Sequence, residues 1–461
     1  MLNDALGYAR THYPESLAQL IDLLRIPSIS TLPEHKADVD RAARWLAEKL
    51  TAIGLENAQA IPTPGHPVVY ADWLHAGPAA PTVIIYGHYD VQPADPLDEW
   101  LTPAFEPTLV GDDIFCRGAT DDKGQLYTHI AAAEAYLKTA GKLPLNLKFL
   151  LEGEEELGSA HLREFLHAHR AMLQADAAII SDTHIIDPAT PALVVGVRGL
   201  AYMEVHMRGS KRDLHSGMYG GVVENPFNAL CRVLATLRDE RGHITIPGFY
   251  DKVHTLTPQE RAAINNNPMS AETLLEETGA PRLFGEADFT PMERLGARPS
   301  LDVHGIRGGF TGEGQKTVIA AEATAKVSMR LVPNQDPAEI VRLFTAYVTA
   351  ITPKTMTVTV KKLSAEPGAE VDINAPVIQV AAQAYERGFG RPPVYLREGG
   401  SIPVVSMFIN DMQTPVVMMG FGLSDDGLHS PNEKFHLPNF YRGIDTSIYF
   451  FDLLAQRVAA N

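Results

Sequence analysis

Three short apolar runs in this chain are followed by side chains of types that can bind metal ions or move protons. TVIIY (82–86) leads into Gly87-His88-Tyr89-Asp90, NLKFLL (146–151) into Glu152-Gly153-Glu154-Glu155-Glu156, and AAIIS (177–181) into Asp182. Their β-branched and aromatic content predicts strands. Ligands of open α/β sheets bind outside the carboxyl ends of the strands, so these groups are expected to converge. Two further segments join them. Asp121 and Asp122 lie in Gly118-Ala-Thr-Asp-Asp-Lys-Gly124 at the start of an amphipathic stretch, and His429 lies in Asp425-Asp426-Gly427-Leu428-His429-Ser430, after the apolar run PVVMM.

Taken singly, each group has an ordinary explanation. A histidine after a strand is commonly a surface or core residue, a Glu run a solvated face, and an Asp before a helix a cap that favours the dipole. Two consecutive aspartates exceed what a cap requires, and one carboxylate has two oxygens with which to bridge two cations. Together the segments supply two histidines and at least three carboxylates, with no thiolate. That donor set suits Zn, Mn or Co, whereas calcium prefers oxygen alone. Two such ions ~3.5–4 Å apart polarise a carbonyl and activate water near neutral pH. Adjacent glutamates then allow one to ligate while its neighbour handles protons.

These groups need a scaffold of alternating strands and helices. Residues 15–25 and 36–53 carry apolar positions at helical spacing, with Gly54 as a stop, and Leu126, Ile130, Ala133 and Leu137 mark a helix over Lys123–Ala140 that Gly141 ends. Apolar strands between such helices predict a mixed α/β sheet with several parallel strands. Beyond Arg198–Gly199 the pattern changes. Tyr202–Met207, parts of Val318–Leu331 and Met356–Val360 alternate, with helices near Pro226–Arg238 and Pro337–Thr349, which predicts a separate α+β unit on an antiparallel sheet. Residues 240–315 read as loops and short helices. After about Asp372 the α/β character returns, with a helix over Ala375–Arg387 and a strand over Pro415–Met419. The expected organisation is a catalytic domain of residues 1–198 and 370–461 with residues 199–369 inserted into it.

Composition narrows the function classes. The chain has 461 residues, 45% hydrophobic and 21% charged, enough for two folded domains. Its net charge of −17 argues against a nucleic-acid footprint, which needs clustered Lys and Arg. Cys116 and Cys231 are the two cysteines and form no CxxC pair, which predicts a reducing compartment and excludes thiolate zinc sites. The opening segment has no basic-then-apolar signal pattern, and no apolar run approaches the ~20 residues of a membrane span. The expectation is a cytoplasmic protein that binds no membrane.

The motifs resemble those of the co-catalytic metallopeptidases related to carboxypeptidase G, aminoacylase and the carnosinases, over nearly the whole chain. They are Tyr86-Gly-His88-Tyr-Asp90-Val-Gln-Pro93, Arg117-Gly-Ala-Thr-Asp121-Asp122-Lys-Gly124, Glu152-Gly-Glu-Glu155-Glu156, Ser181-Asp182 and Gly427-Leu-His429-Ser-Pro-Asn-Glu433. The resemblance implies that one divalent ion takes His88, Asp121 and Asp182, and a second takes Glu156, Asp121 and His429, with Asp121 the bridge. It implies Zn as the metal, with Mn or Co as alternatives. Glu155 would be the general base, and Asp90 would orient the His88 ring. Glu152 and Glu154 compete for these roles, and the family's Glu-Glu pair selects Glu155 and Glu156.

The same resemblance makes residues 199–369 a lid and homodimerisation domain. His215, in Asp213-Leu-His215-Ser-Gly217, would reach across the dimer to stabilise an oxyanion. Arg330, in Met329-Arg-Leu-Val-Pro-Asn334, would grip the substrate's terminal carboxylate with its bidentate guanidinium. Thr317 and Ser401 are further candidates for substrate contacts. The RLVPN and REGGSIP segments look most like the dipeptidase branch, although Ser364 stands where that branch often carries a histidine. The expected activity is dipeptide or short-peptide hydrolysis. A deacylase or carbamoylase acting on N-acyl or N-carbamoyl amino acids shares the metal chemistry, and a non-catalytic metal-binding protein of the same fold would be expected to have lost Glu155 or a ligand.

Overall fold

In a computed structural model, which describes residues 1–265, 269–400 and 402–459, the chain divides into two compact units. One comprises residues 1–195, 371–396 and 403–461, and the other residues 196–370 with 397–402.

The first unit is built on a mixed sheet. Its strands run in the order Glu56–Ile61, Val68–Trp73, Asn146–Glu152, Thr82–His88, Ala177–Ile180, Val416–Met418 and Ala192–Val197. The central four are parallel neighbours, with Thr82–His88 between Asn146–Glu152 and Ala177–Ile180, and Val416–Met418 beside the latter. Every residue of Asn146–Glu152 and Ala177–Ile180 is buried, as is expected of parallel strands covered on both faces. The helices Lys36–Ile53, Lys123–Ala140 and Leu437–Ala459 pack their apolar residues into one core with Val83, Ile85, Phe149 and Ile179 of these strands. Gly54 and Gly141 end the first two of these helices in the left-handed conformation, at φ 107° and 64°.

The second unit carries a four-stranded antiparallel sheet in the order Ser300–Gly308, Glu322–Leu331, Gly199–Arg208, Thr357–Glu366. Gly199–Arg208 shows strict alternation, and its inward Ala201, Met203, Val205 and Met207 meet Leu230 and Val233 of helix Pro226–Ala235 and Phe344 and Val348 of helix Pro337–Ile351. Ser364 sits opposite Tyr202 in this sheet.

Within residues 240–315, read from sequence as loops and short helices, the helices Pro258–Asn265, Ala271–Thr278 and Pro291–Ala297 are present, but Ser300–Gly308 is a nine-residue strand. It is an edge strand, exposed over six consecutive residues, so its Asp, His, Arg and glycines leave no alternating apolar face to read. Among the described residues, no helix is long and apolar enough to cross a membrane. Cys116 is buried, Cys231 is exposed, and both are free.

Candidate metal centre

The parallel strands point the same way, so their carboxyl ends lie along one edge of the sheet. His88 is the last residue of Thr82–His88, Glu152 ends Asn146–Glu152, and Asp182 follows Ala177–Ile180 by two residues. Two groups of donors gather there. One ligand atom from each of His88, Asp121 and Asp182 lies within 4.8 Å of the others, and the same holds for Asp121, Glu156 and His429.

Asp121 belongs to both groups. Its Oδ1 lies 3.0 Å from His88 Nε2, and its Oδ2 lies 3.1 Å from His429 Nε2. His429 Nε2 is also 3.3 Å from Glu156 Oε2, and His88 Nε2 is 3.9 Å from Asp182 Oδ2. His88 Nε2 is buried and faces carboxylate oxygens without a well-aligned hydrogen bond to any of them. A buried ring nitrogen so placed is costly, and a cation between it and the carboxylates is the partner this donor set fits.

The electrostatics agree. Burial works against a charged His88 ring, but the Asp121, Asp90 and Asp182 carboxylates outweigh it and raise its pKa well above the usual imidazole value. Hydrogen bonding to Asp121 and then Glu156 pushes His429 up to about 10. A cluster that draws protons onto both imidazoles has the potential to hold cations between them. Burial, followed by repulsion from Asp182, Glu156 and Asp121, raises the Glu155 carboxyl well above the ordinary carboxylate range.

The supporting contacts are specific. His88 Nδ1 lies 3.1 Å from the Asp90 carbonyl oxygen and 3.4 Å from Asp90 Oδ1, which fixes the ring with Nε2 facing the donors. The Asp90 carboxylate has a further duty, accepting the backbone N–H of Glu155 at 3.3 Å and of Glu156 at 3.1 Å. Gln92 Nε2 donates to Glu156 Oε2 at 2.7 Å. Asp122, fully buried, makes no side-chain cap for the helix that follows it, and its Oδ2 accepts the backbone N–H of His88 at 3.3 Å instead.

The competing glutamates are engaged elsewhere. Glu152 accepts Tyr86 Oη and Ser159 Oγ, and Glu154 pairs with His161 at 2.9 Å. Gln92 and the double duty of Asp90 were not read from sequence. Gln92 lies inside a quoted motif, but nothing in its spacing names its partner 64 residues away.

Three of the remaining sequence-predicted residues belong to the second unit. His215 ends the short strand Leu214–His215, paired with Val318–Ile319, and the carbonyl of Thr317 accepts the backbone N–H of Ser216 at 3.1 Å. His215 Nδ1 accepts the Gly217 N–H at 3.0 Å, so the proton of the neutral ring sits on Nε2. Arg330 lies on Glu322–Leu331, opposite Leu200 and Ser300, and burial lowers its pKa. Ser401 lies outside the described residues.

The chain has relatives that share this architecture. Residues 84–451 match the family described as Peptidase family M20/M25/M40. The Cys-Gly metallodipeptidase dug1 of Schizosaccharomyces pombe is 34% identical, over 93% of this chain and 93% of that protein. The Beta-Ala-His dipeptidase of Rattus norvegicus is 32% identical, over 98% of this chain and 95% of that protein. The solved M20 family metallo-carboxypeptidase Sso-CP2 from Sulfolobus solfataricus superposes with a TM-score of 0.86 at 32% identity, covering 96% of this chain and 99% of that one. The fold and the donor cluster define a two-metal hydrolase of the α/β exopeptidase type. The chain belongs to peptidase family M20/M25/M40.

Proposed function

We propose that this chain is a two-metal dipeptidase that hydrolyses dipeptides or short peptides. The observation that carries the reading is Asp121, whose two oxygens each face one imidazole, with Glu155 beside them. His88, Asp121 and Asp182 would hold one divalent ion, and Glu156, Asp121 and His429 the other. Zn suits this mixed imidazole and carboxylate set, and Mn or Co are the alternatives. When bound, the pair polarises the scissile carbonyl and acidifies water.

Glu155 is the group that moves protons. It takes one from the attacking water and delivers it to the leaving amine. Asp90 keeps His88 and the Glu155–Glu156 turn in register with each other.

The second unit acts as lid and dimerisation domain. His215 of the partner subunit donates from Nε2 to the oxyanion, a role supported by the acceptor duty of Nδ1 in the same ring. Arg330 grips the substrate's free carboxylate, with Thr317 and Ser401 as further contacts. The substrate class rests on the dipeptidases among the relatives.

Metal-stripped protein, resupplied with Zn, Mn or Co, tests the reading on Cys-Gly, β-Ala-His and other dipeptides, on longer peptides, and on N-acyl and N-carbamoyl amino acids. Metal-dependent cleavage of dipeptides is the expected result. Cleavage of N-acyl or N-carbamoyl compounds alone would overturn it in favour of a deacylase or carbamoylase, and preference for longer peptides with release of the C-terminal residue would make the chain a carboxypeptidase.

A further inference from the structure

Glu433 closes the motif that contains His429, yet the chemistry above gives it no task. It is fully buried, and each carboxylate oxygen accepts two hydrogen bonds. Oε2 accepts Arg117 Nη1 at 2.8 Å and the Gly118 N–H at 2.9 Å, while Oε1 accepts the N–H of Thr120 and of Asp121, each at 3.1 Å. Its own carbonyl accepts the Cys116 N–H at 3.0 Å. One residue therefore receives four backbone N–H groups from the segment 116–121.

That segment belongs to neither strand nor helix, so its buried N–H groups have no ladder to satisfy them and need acceptors from elsewhere. Glu433 supplies those acceptors from the same stretch of chain that carries His429. A second tie lies alongside, since Thr120 Oγ1 donates to the Lys434 carbonyl at 2.6 Å and lies 2.9 Å from Asp426 Oδ2.

We infer that Glu433 is a positioning residue which sets the distance between the bridging Asp121 carboxylate and His429 by clamping the Asp121 backbone to the His429 segment. It touches neither substrate nor metal. Asp121 must present its oxygens to two ions at once, so a small rotation of its backbone moves both sites together. Without the clamp, His429 and Asp121 drift independently, and the group of Asp121, Glu156 and His429 loosens first. The inference rests on the two-metal reading.

Arg117 separates a clamp from a simple buried ion pair. Its guanidinium donates to Glu433 Oε2 and to the Pro93 carbonyl, whereas the Asp121 N–H is held by the other oxygen, Oε1. Arg117→Lys therefore disturbs the ion pair while leaving both Glu433 oxygens available to the loop. Glu433→Gln keeps the shape but turns an NH2 toward one pair of N–H donors.

The experiment measures Zn and Co binding to the metal-stripped full chain by chelator competition, with the Co absorption spectrum and melting temperature beside it. Glu433→Gln is expected to weaken one of the two sites by about 10–100-fold and to alter the Co spectrum, with kcat largely regained in excess metal and KM little changed. Arg117→Lys is expected to lower the melting temperature while holding affinity within about threefold of the parent, because its loss falls on folding. Glu433→Asp, which keeps the charge but withdraws the oxygens by one methylene, gives the same reading if Glu433→Gln does not accumulate. Parental affinity in the Glu433 variants, or an equal loss in Arg117→Lys, would overturn the inference. A parent that fails to bind two ions would overturn the two-metal reading first, and the inference with it.

Discussion

The backbone N–H of Glu156 donates to Asp90 Oδ2 at 3.1 Å, across 66 residues of sequence. Asp90 Oδ1 takes the N–H of Glu155, and the Asp90 carbonyl meets His88 Nδ1. One aspartate thus links a histidine of the first donor group to a glutamate of the second. Asp90→Asn would turn an amide NH2 toward an N–H donor in a fully buried place, leaving one donor unsatisfied. The expected outcome is a fall in kcat/KM of about 10–100-fold, with metal affinity reduced by a similar factor. Steady-state kinetics at saturating metal, with chelator competition, check it. Wild-type kinetics and affinity in the variant would show that the Asp90 carboxylate is dispensable.

Among the described residues neither donor group includes Glu155, which accords with its proposed role of moving protons without ligating. Glu155→Ala should fold, bind both ions and lose about 10²–10⁴-fold in turnover. Metal content and circular dichroism establish the first two points, and a progress curve the third. Turnover near the parental rate would remove Glu155 from the mechanism.

Gly124, the second residue of helix Lys123–Ala140, has no room for a side chain. Here a Cβ would lie 1.9 Å from the Ala119 carbonyl oxygen and 2.6 Å from a Phe435 ring carbon, so helix Lys123–Ala140 lies close against the loop that carries Asp121. Gly124→Ala is expected to destabilise by about 1–3 kcal/mol through overpacking and to weaken metal binding as the loop moves. Thermal melts with and without metal measure both effects. A gain in stability would mean the loop yields freely.

His129 gives the fold an acid-sensitive point. The ring is fully buried, with Nε2 2.6 Å from Ser181 Oγ and Nδ1 3.0 Å from Ser447 Oγ, and burial depresses its pKa to about 3. The unfolded chain takes up a proton near the ordinary value of about 6.5, whereas the folded chain does not. Stability from this group is therefore complete above that value and falls as the pH drops toward 3. Between pH 7 and pH 5 the loss is about 2 kcal/mol for a single such group. Denaturation of metal-free parent and His129→Gln at both pH values isolates it, because titrations common to both proteins cancel. Equal losses in the two proteins would show that His129 titrates normally.

The reach of the sequence follows from what each feature depends on. The positions of His88 and Asp182 were legible because apolar runs placed strands, and strand direction places whatever follows them; Asp121 stood out as one of two consecutive aspartates at a helix start, while Glu156 and the sharing of ligands between two ions came from the family resemblance. The helix Lys123–Ala140 and its Gly141 stop were legible from apolar spacing and a glycine, which adopts the left-handed turn without a Cβ penalty. Ser300–Gly308 was not, because an exposed edge strand has no buried face to impose alternation. Glu433 and Gln92 stood inside quoted motifs without a role. Glu433 and Asp121 are 312 residues apart, and only the folded chain brings them together.

The proposed roles of His215 and Arg330 can be separated from each other by mixing subunits. In the proposed dimer, a substrate site combines the Arg330 of its own chain with His215 of the partner subunit. His215→Ala and Arg330→Ala homodimers should each be nearly inactive, since every site lacks one group. A dimer of one chain of each kind has one site with both groups intact and one site with neither. Random exchange of equal amounts should therefore restore about a quarter of parental activity, the isologous symmetry of such a dimer making the two sites equivalent. Mass spectrometry of differently tagged chains confirms the exchange, and kcat per intact site should equal that of the parent. No recovered activity after confirmed exchange would place His215 and Arg330 of one chain at the same site and end the assignment of His215 across the dimer.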